Sequence, residues 1–358
     1  MQHEADTRLK ILNFNLQDFF LPIDYSLKEA DLARLTEAEW QLCAAPGREL
    51  KALAKVRAIA ALISELEPDL LCLTEVGGAK ALHFFAENFL SGRYSAHLIE
   101  GQSERGIHNG FLLRKASGWR AALESHQDWP VRFTYPHEDD PAAHPWAAAA
   151  APYHALGQAS ERRMSRDTPS LRLYRGSAVT PELMLLLVHL KSGFDQVGID
   201  PAGRVRRTAE VKALVALYKE LSSRAAVPLI VVGDFNGRAA RAETAAEFLP
   251  LYRETDLEDA LELAGRPQHE RLSQFAFTKA GVIAQQLDYI FLPRALHARV
   301  VPEETYIYRF KFAGEGTSAA PGGEIMFPFS YRERNLLPSD HYPLLCTLEL
   351  GKAATRVQ

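Results

Sequence analysis

The segment PLIVVGDFNG, residues 228–237, constrains the fold of this chain more than any other stretch. Its apolar, mostly β-branched run is too short for an independent helix and suits a strand that is buried on both faces. Gly233 lets the backbone leave that strand in a tight bend. Asp234 and Asn236 then point to the same side of an extended chain, so a carboxylate and a carboxamide emerge together. By itself, the segment is equally compatible with a polar turn that has no chemical role.

The same pattern recurs along the chain, because several apolar, strand-like runs end at polar residues. Six such ends carry Asn15, Glu75, His189, Asp234 with Asn236, Asp288, and Asp340 with His341. Each has a simpler explanation, since a glutamate can cap a helix and a lone histidine is more often a satisfied core residue. However, α/β folds usually build their sites from polar groups at strand ends on one side of a sheet. Six coincidences in one chain therefore favour a shared site.

Apolar periodicity predicts the remaining elements. Predicted helices cover residues 49–67, 79–90 and 204–222, and predicted strands cover 9–16, 70–76, 111–113, 171–174, 183–188, 229–234, 287–292 and 344–350. Strands recur from beginning to end with neither a flexible linker nor an internal repeat. This pattern predicts one α/β domain with mixed sheets over residues 8–352. Predicted insertions lie near residues 21–48, 136–160 and 305–337, the second of them on the surface.

Composition excludes several classes of protein. The chain has 358 residues and a formal net charge of −4, which argues against a polyanion binder held by bulk charge. No apolar run is long enough to cross a bilayer, and the N-terminus lacks a signal-peptide pattern, so the expected location is cytoplasmic. The three cysteines have no clustered spacing and predict neither a disulfide framework nor a zinc site. Cys72 and Cys346 are predicted to be small buried hydrophobes, and a monomer is the default expectation.

In chain order, the strand-end motifs resemble those of the endonuclease/exonuclease/phosphatase superfamily of divalent-metal phosphoesterases, in particular its bacterial branch. The matching stretches are FNLQ at 14–17, LTEV at 73–76, VHLKS at 188–192, GDFN at 233–236, LDYI at 287–290 and SDH at 339–341. The superfamily includes DNase I-like nucleases, abasic-site endonucleases, neutral sphingomyelinases and inositol polyphosphate phosphatases. The resemblance implies an α/β fold of the DNase I-like type. This fold is a four-layer α/β/β/α sandwich with two mixed β-sheets packed face to face and helices outside.

The resemblance also implies a divalent-metal site. Glu75 is the candidate to hold Mg²⁺ or Mn²⁺, and Asn15 and Asp340 are expected to complete that environment directly or through water. The chemistry agrees with this assignment, because hard divalent ions prefer carboxylate, carbonyl and water ligands. Mg²⁺ commonly takes only one or two protein carboxylates.

The family roles for the catalytic residues follow from what phosphodiester hydrolysis requires. Asp234 is expected to orient or deprotonate the attacking water, and Asn236 to donate to a phosphate oxygen. His341 is expected to contact the scissile phosphate, while Asp288 fixes its tautomer and raises its basicity. His189 is expected to donate to the phosphate or to assist the leaving group. Which residue is the general base and which the general acid stays open.

The substrate is less constrained than the chemistry. The first hypothesis is a nuclease, and the alternative is a phosphatase or a phospholipase C-like enzyme acting on a small or lipid phosphate. A binding module that has lost catalysis is a third reading. The aromatic loop at 305–337 is expected to form one wall of a compact site for a short or single-stranded nucleic acid or a small phosphodiester. Candidate contacts to substrate phosphate are Arg105, Asn109, Arg166, Lys191, Arg332 and Arg334. Arg105 and Arg166 are equally compatible with structural ion pairs.

Overall fold

The structure is a computed structural model that describes residues 8–22, 29–103, 105–139, 161–195, 198–278, 281–310, 328 and 330–351. Most of the predicted insertion at 136–160 lies outside the described residues, and so does the middle of the loop at 305–337. The described part of the first predicted insertion, residues 21–48, contains two short helices.

Strands recur along the whole described chain, some of them consecutive and some separated by helices. The strands are β1 Arg8–Phe19, β2 Leu70–Val76, β3 Tyr94–His97, β4 His108–Arg114, β5 Trp119–Glu124, β6 Pro130–Arg132, β7 Glu161–Arg163, β8 Ser170–Arg175, β9 Leu183–His189, β10 Leu229–Asp234, β11 Glu258–Asp259, β12 Gln274–Thr278, β13 Gly281–Gln285, β14 Asp288–Leu292, β15 Tyr306–Ile307 and β16 Leu344–Glu349. The helices are α1 Glu29–Leu32, α2 Glu37–Leu42, α3 Leu53–Leu66, α4 Ala79–Asn88, α5 Pro136–Asp139, α6 Arg204–Arg224, α7 Leu249–Glu254, α8 Ala260–Leu263 and α9 Tyr331–Leu336. Each predicted strand and helix corresponds to one of these elements, with differences of a few residues at the ends.

Two six-stranded sheets form the centre of the molecule. Their strand orders are β15-β16-β1-β2-β4-β3 and β11-β14-β10-β9-β8-β5. Strand β1 runs parallel to β2 and antiparallel to β16, and β10 runs parallel to β9 and antiparallel to β14. Both sheets are therefore mixed, as predicted, and strands from opposite ends of the sequence are neighbours in the first sheet.

Three clusters of buried apolar side chains define four layers. The central cluster joins Ile11 and Leu70 of the first sheet to Leu185 and Ile230 of the second. One outer cluster packs α3 and α4 against the first sheet, and the other packs α6 against the second. This arrangement confirms the predicted α/β/β/α sandwich. Cys72 and Cys346 are fully buried in it, as predicted.

The helix predicted over residues 49–67 begins at Leu53. The residues before it are held by other segments, since the Leu50 N–H donates to Gln41 Oε1 and the Lys51 N–H donates to the Phe20 carbonyl. These contacts draw the chain away from helical geometry. Within the described chain, no helix is both long and apolar enough for a membrane span.

Gly233 allows strands β9 and β10 to pair closely. Its φ is 142°, and a Cβ at this position would lie 1.9 Å from the Val188 carbonyl oxygen. A side chain is therefore sterically excluded where the second sheet delivers Asp234.

Candidate active site

Neighbouring strands bring the strand-end residues to one edge of the sandwich. Asp234, the last residue of β10, lies opposite His189 at the end of β9 and opposite Asp288 at the start of β14. Asn15 and Glu75 reach the same place from β1 and β2 of the facing sheet, as the contacts below show. The parallel pairs explain this convergence, because their carboxyl ends meet at one edge.

The Asp234 carboxylate is the centre of the group. Its Oδ2 accepts a hydrogen bond from Asn15 Nδ2 at 2.9 Å. The same oxygen lies 3.7 Å from His189 Nε2 and 3.9 Å from His341 Nε2. Burial raises the pKa of Asp234 to about 7, although the neighbouring His341 acts in the opposite direction. At neutral pH the Asp234 carboxyl is therefore close to its pKa, so it can either bind or release a proton.

His341 and Asp288 form a buried pair. His341 Nδ1 donates to Asp288 Oδ2 at 2.7 Å, and Ser273 Oγ donates to the same carboxylate oxygen at 2.7 Å. Burial lowers the pKa of His341, but the Asp288 and Asp234 carboxylates outweigh it and raise the pKa to about 10. The imidazole is therefore cationic near neutral pH, with Nδ1 bonded to Asp288 and Nε2 facing Asp234.

His189 has the opposite electrostatic character. Its Nε2 lies 3.9 Å from Glu75 Oε1 as well as 3.7 Å from Asp234 Oδ2. Burial, followed by the positive charge of Arg166, lowers its pKa well below the usual range. His189 is therefore a neutral imidazole at neutral pH.

Glu75 is held by a bulge in β1. The β1–β2 register shifts between Asn15 and Phe19, and within the bulge the Asp18 N–H donates to Glu75 Oε2 at 2.8 Å. Gln17, Asp18 and Glu75 have φ values of 52°, 49° and 62°, in the left-handed region that side chains rarely adopt. Strained backbone of this kind is typical of functional sites, where the surrounding structure must stabilise it.

Asn15 and Asn236 orient the carboxylates around them. Asn15 Oδ1 accepts the Gln17 N–H, so its Nδ2 faces Asp234 and also lies 3.4 Å from Glu75 Oε1. Asn236 Nδ2 donates to the Leu190 carbonyl at 3.0 Å and to Asp234 Oδ2 at 3.2 Å. The Asn236 amide, expected to donate to a phosphate oxygen, is thus bonded within the protein.

Four of the six candidate phosphate contacts are bonded to other groups of the protein. Arg334 Nη2 pairs with Asp340 Oδ2 at 2.8 Å, and Arg105 Nη2 pairs with Asp18 Oδ1 at 2.5 Å. Lys191 Nζ donates to the carbonyls of Ser192 and Phe194, and Asn109 Nδ2 donates to the Asp167 carbonyl. These groups are available to a substrate only if their present contacts break.

Arg166 and Arg332 differ from those four, because neither makes a hydrogen bond or an ion pair with the residues that the structure describes. Arg332 is exposed on α9. Arg166 is partly buried, with Nε shielded from solvent and unbonded. Burial lowers the pKa of Arg166, whereas the negative charge of Glu75 opposes this shift. The positive charge of Arg166 in turn adds to the effect of burial in lowering the pKa of His189. An unpaired guanidinium therefore lies close to the site, where it could bind an anion.

Two groups of side chains could hold a divalent cation. Ligand atoms of Asp234, Asp288 and His341 all lie within 4.8 Å of one another, but these residues are buried and His341 Nδ1 is already bonded to Asp288. Glu75 and Asp340 have side-chain exposures of 14% and 17%, so solvent reaches them. Mg²⁺ retains several water ligands, and the partly exposed Glu75 and Asp340 carboxylates fit that requirement better than the buried cluster.

Several residues that serve this site carry no sequence signal. Ser273 lies in no motif, yet its Oγ donates to Asp288 and accepts the N–H groups of Leu287 and Asp288. Glu210, in the middle of α6, accepts from the Lys191 N–H and from Ser165, and so anchors the segments that carry His189 and Arg166. An acidic residue on a helix is usually exposed, and only its complete burial in the structure distinguishes Glu210.

Known proteins share this sequence pattern and this fold. The model of the endonuclease/exonuclease/phosphatase family matches residues 14–341. No curated protein sequence matches the chain. Among solved structures, Danio rerio TDP2 in complex with a single strand DNA product is 18% identical, with a TM-score of 0.52 and coverage of 95% of this chain and 98% of that one. The human Nocturnin catalytic domain with bound sulfate is 15% identical, with a TM-score of 0.51 and coverage of 96% and 94%.

A bacterial structure is similar to the same extent. The endonuclease/exonuclease/phosphatase family protein from Bacteroides thetaiotaomicron is 15% identical, with a TM-score of 0.52 and coverage of 97% of this chain and 99% of that one. At these identities the structures establish the fold alone, whereas the family model covers nearly the whole sequence and spans all of the strand-end motifs. This chain therefore belongs to the endonuclease/exonuclease/phosphatase family, whose members are metal-dependent phosphoester hydrolases.

Proposed function

We propose that this protein is a Mg²⁺- or Mn²⁺-dependent phosphodiesterase that cleaves short or single-stranded nucleic acid. The observation that carries the proposal is the convergence of two imidazoles of opposite character on Asp234 Oδ2, at 3.7 and 3.9 Å, beside Glu75. Together, the three groups supply a base in the carboxylate, an electrostatic stabiliser in the cationic imidazole and a hydrogen-bond donor in the neutral imidazole. The proposal includes a single catalytic domain over residues 8–352.

Each group of the site has its own role in the proposed reaction. Glu75 and Asp340 would hold the cation, which when bound neutralises phosphoryl oxygens. Asn15 would belong to the same environment by orienting Glu75, since its Nδ2 and not its Oδ1 faces that carboxylate. Asp234 accepts a proton from the attacking water, as its pKa of about 7 allows. The cationic His341 donates from Nε2 to a phosphoryl oxygen.

The neutral His189 would donate a hydrogen bond from Nε2 to the departing oxygen. Its Nδ1 is buried and makes no hydrogen bond with the described residues, so only Nε2 faces the other catalytic groups. Asn236 keeps the Asp234 carboxylate in position through its side chain and its N–H.

The charge distribution supports a short or single-stranded substrate. The net charge is −4, and most of the candidate cationic contacts are engaged within the protein. Arg166 and Arg332 remain to neutralise substrate phosphates, which is fewer than a protein that tracks long duplex DNA uses. The Danio rerio TDP2 structure contains a single strand DNA product, which adds support from a protein of the same fold.

The test is a substrate panel assayed with Mg²⁺ and with EDTA. It contains a single-stranded oligonucleotide, plasmid DNA, bis-p-nitrophenyl phosphate, p-nitrophenyl phosphate and sphingomyelin. We expect Mg²⁺-dependent cleavage of the oligonucleotide and of bis-p-nitrophenyl phosphate, and a loss of at least about 10³-fold in kcat for Glu75→Gln, which keeps the shape and removes the charge. The matched control is Glu87→Gln, because the Glu87 carboxylate is exposed and pairs with Lys115.

The panel also distinguishes the alternatives. Cleavage of sphingomyelin without cleavage of the oligonucleotide would replace the nuclease by a phospholipase, and cleavage of p-nitrophenyl phosphate alone would replace it by a phosphatase. Normal Mg²⁺-dependent turnover by Glu75→Gln would remove Glu75 from the metal site.

A further inference from the structure

Lys51 is a buried lysine next to the proposed site, and the mechanism above does not use it. Its side chain is only 7% exposed. Its Nζ donates to the Leu16 carbonyl at 2.9 Å and to the Gln17 carbonyl at 2.8 Å. Both carbonyls belong to the bulge of β1 that follows Asn15. The ammonium therefore holds the main chain of the bulge from the side of α3.

The bulge connects Lys51 to Glu75 and Asn15, two of the three residues of the proposed cation environment. The Gln17 N–H donates to Asn15 Oδ1 at 2.9 Å, and the Asp18 N–H donates to Glu75 Oε2 at 2.8 Å. Gln17 and Asp18 have left-handed backbone conformations, which are unfavourable for residues that carry a side chain. Without support, this part of the backbone would relax toward extended strand geometry. A shift of the Leu16 and Gln17 carbonyls would move the Gln17 and Asp18 N–H groups of the same peptides. These N–H groups orient the side chains of Asn15 and Glu75.

The position of Lys51 is itself fixed from outside the strand pair. Its N–H donates to the Phe20 carbonyl, and its carbonyl accepts from Trp40 Nε1 at 2.8 Å. Trp40 is completely buried and belongs to α2, inside the first predicted insertion. The insertion therefore contacts the backbone of Lys51 and helps to fix its position.

Burying this ammonium is unfavourable, so packing alone does not explain it. Burial lowers the pKa of Lys51 to about 7, against the opposing effects of Asp340, Glu75 and Asp18. A methionine would fill a similar volume without that cost. Interactions that order a binding site commonly cost stability in this way.

We infer that Lys51 is a positioning residue for the divalent cation, acting through the bulge that aims Glu75 and Asn15. The inference rests on the proposed function. The inference predicts that loss of Lys51 weakens cation binding, because the ligands lose their alignment. Removal of a positive charge near Glu75 and Asp340 would by itself have the opposite effect and strengthen cation binding. Mutation of a residue that orients metal ligands from outside typically lowers metal affinity by about 10–100-fold.

The chain offers a matched control at Lys55, one helical turn further on. The pKa of Lys55 is lowered by burial and raised by Asp340, so this lysine is also partly buried and senses the same carboxylate. Its side-chain ammonium makes no hydrogen bond with the described residues, although its N–H donates to the Ala52 carbonyl. Lys55→Met therefore removes a nearby positive charge without removing a contact to the bulge.

The experiment measures Mn²⁺ binding directly, from the electron paramagnetic resonance signal of free Mn²⁺, together with the Mg²⁺ dependence of bis-p-nitrophenyl phosphate hydrolysis. We expect Lys51→Met to raise the Kd for Mn²⁺ and the half-saturating Mg²⁺ concentration by about 10–100-fold, with little change in KM for the substrate. Lys55→Met should leave the Kd within about threefold or lower it. Lys51→Gln, which is shorter and removes the charge, should raise the Kd in the same direction and replaces Lys51→Met if that variant does not fold.

An unchanged or lower Kd for Mn²⁺ in a folded Lys51 variant would overturn the inference. Glu75→Gln separates this failure from failure of the proposed function. If Glu75→Gln loses Mn²⁺ binding and the Lys51 variants retain it, only the role of Lys51 is wrong. If Glu75→Gln binds Mn²⁺ normally, the proposed metal site itself is wrong.

Discussion

At the residue scale, the environment of each side chain decides its chemistry. His189 and His341 are of one type, and both face Asp234 Oδ2 at nearly equal distances of 3.7 and 3.9 Å. Burial and Arg166 keep His189 neutral, whereas for His341 the Asp288 and Asp234 carboxylates outweigh burial. Two identical imidazoles thus differ in protonation state at neutral pH because of their burial and the charges beside them.

The Asp288–His341 pair predicts a non-additive pair of mutations. Asp288→Asn leaves the shape and removes the charge that stabilises the imidazolium, so it should lower kcat by about 10²–10⁴-fold, close to the effect of His341→Ala. The double variant should be scarcely worse than the worse single variant, because residues that act as a unit are not additive.

Steady-state kinetics with bis-p-nitrophenyl phosphate measures this cycle. Asp256→Asn is the control, since that carboxylate bonds Tyr218 Oη and the Arg294 N–H instead of a catalytic group. Penalties that multiply for Asp288 and His341 would show that the two residues work independently.

Asp234 predicts a pH dependence of stability. Its pKa is raised from 3.8 to about 7 on folding, so the folded protein binds a proton that the unfolded chain has released. Stability from this group is therefore present at low pH and is lost as the pH rises through about 4 to 7. In EDTA, the Tm of Asp234→Asn should fall less steeply over this range than the Tm of the wild type.

Thermal unfolding at several pH values checks this expectation, with Asp128→Asn as the control because Asp128 is largely exposed. Parallel slopes for the wild type and Asp234→Asn would show that Asp234 ionises normally in the folded state. The same variant should lose catalysis, because an amide cannot accept the proton of the attacking water.

At the scale of secondary-structure elements, the site depends on how closely strands approach. Strand β10 lies between β9 and β14, and this pairing places Asp234 opposite both His189 and Asp288. Gly233 permits the approach, because any side chain there would overlap the Val188 carbonyl. The strand that carries Asp234 therefore accommodates no side chain at the preceding residue.

Replacement of Gly233 should disrupt the second sheet. Gly233→Ala is expected to lower the free energy of unfolding by more than about 3 kcal/mol, or to prevent folding, since the clash is with backbone. Gly265→Ala is the matched control, because Gly265 also has a positive φ, +70°, but nothing lies within 4 Å of its added Cβ. That variant should lose only about 1–2 kcal/mol.

Urea denaturation of the two glycine variants gives the comparison. Equal losses of stability would mean that backbone strain, and not the close approach of β9 and β10, explains why glycine occupies position 233.

At the scale of the whole molecule, charge limits the substrate. A chain with a net charge of −4 cannot concentrate polyanions by its overall field, so binding depends on local cations. Arg334 pairs with Asp340, which leaves Arg332 as the better test of whether the 305–337 segment contacts substrate.

Arg332→Ala should raise KM for a single-stranded oligonucleotide by about fivefold and leave KM for bis-p-nitrophenyl phosphate unchanged. If about two phosphates are neutralised, wild-type affinity should fall by only about sevenfold between 50 and 200 mM salt, and the variant should show a shallower dependence. The control is Arg8→Ala, since Arg8 begins β1 at the end of the sheet opposite Asn15 and pairs with Glu304. Equal effects on both substrates, or none on either, would remove the segment from recognition.

The sequence alone determined the elements and the motifs of this protein. Short β-branched runs, helical apolar stripes and polar strand ends are local patterns, so they placed the strands and predicted one α/β domain with mixed sheets. The four-layer sandwich was implied by the resemblance of the motifs to a known family. The order of the strand-end motifs was enough to identify the family. Helix ends were less accurate, as at Leu53, because contacts with distant segments hold the preceding residues out of the helix.

Only the tertiary structure decided which groups face one another. Ser273 bonds Asp288, Arg334 pairs with Asp340, and Lys51 holds the bulge beside Glu75, yet no spacing in the sequence connects these residues. The opposite charges of His189 and His341 were likewise invisible. The physical reason is that burial and Coulomb interactions depend on distances in space, which a sequence pattern specifies only within one strand or helix.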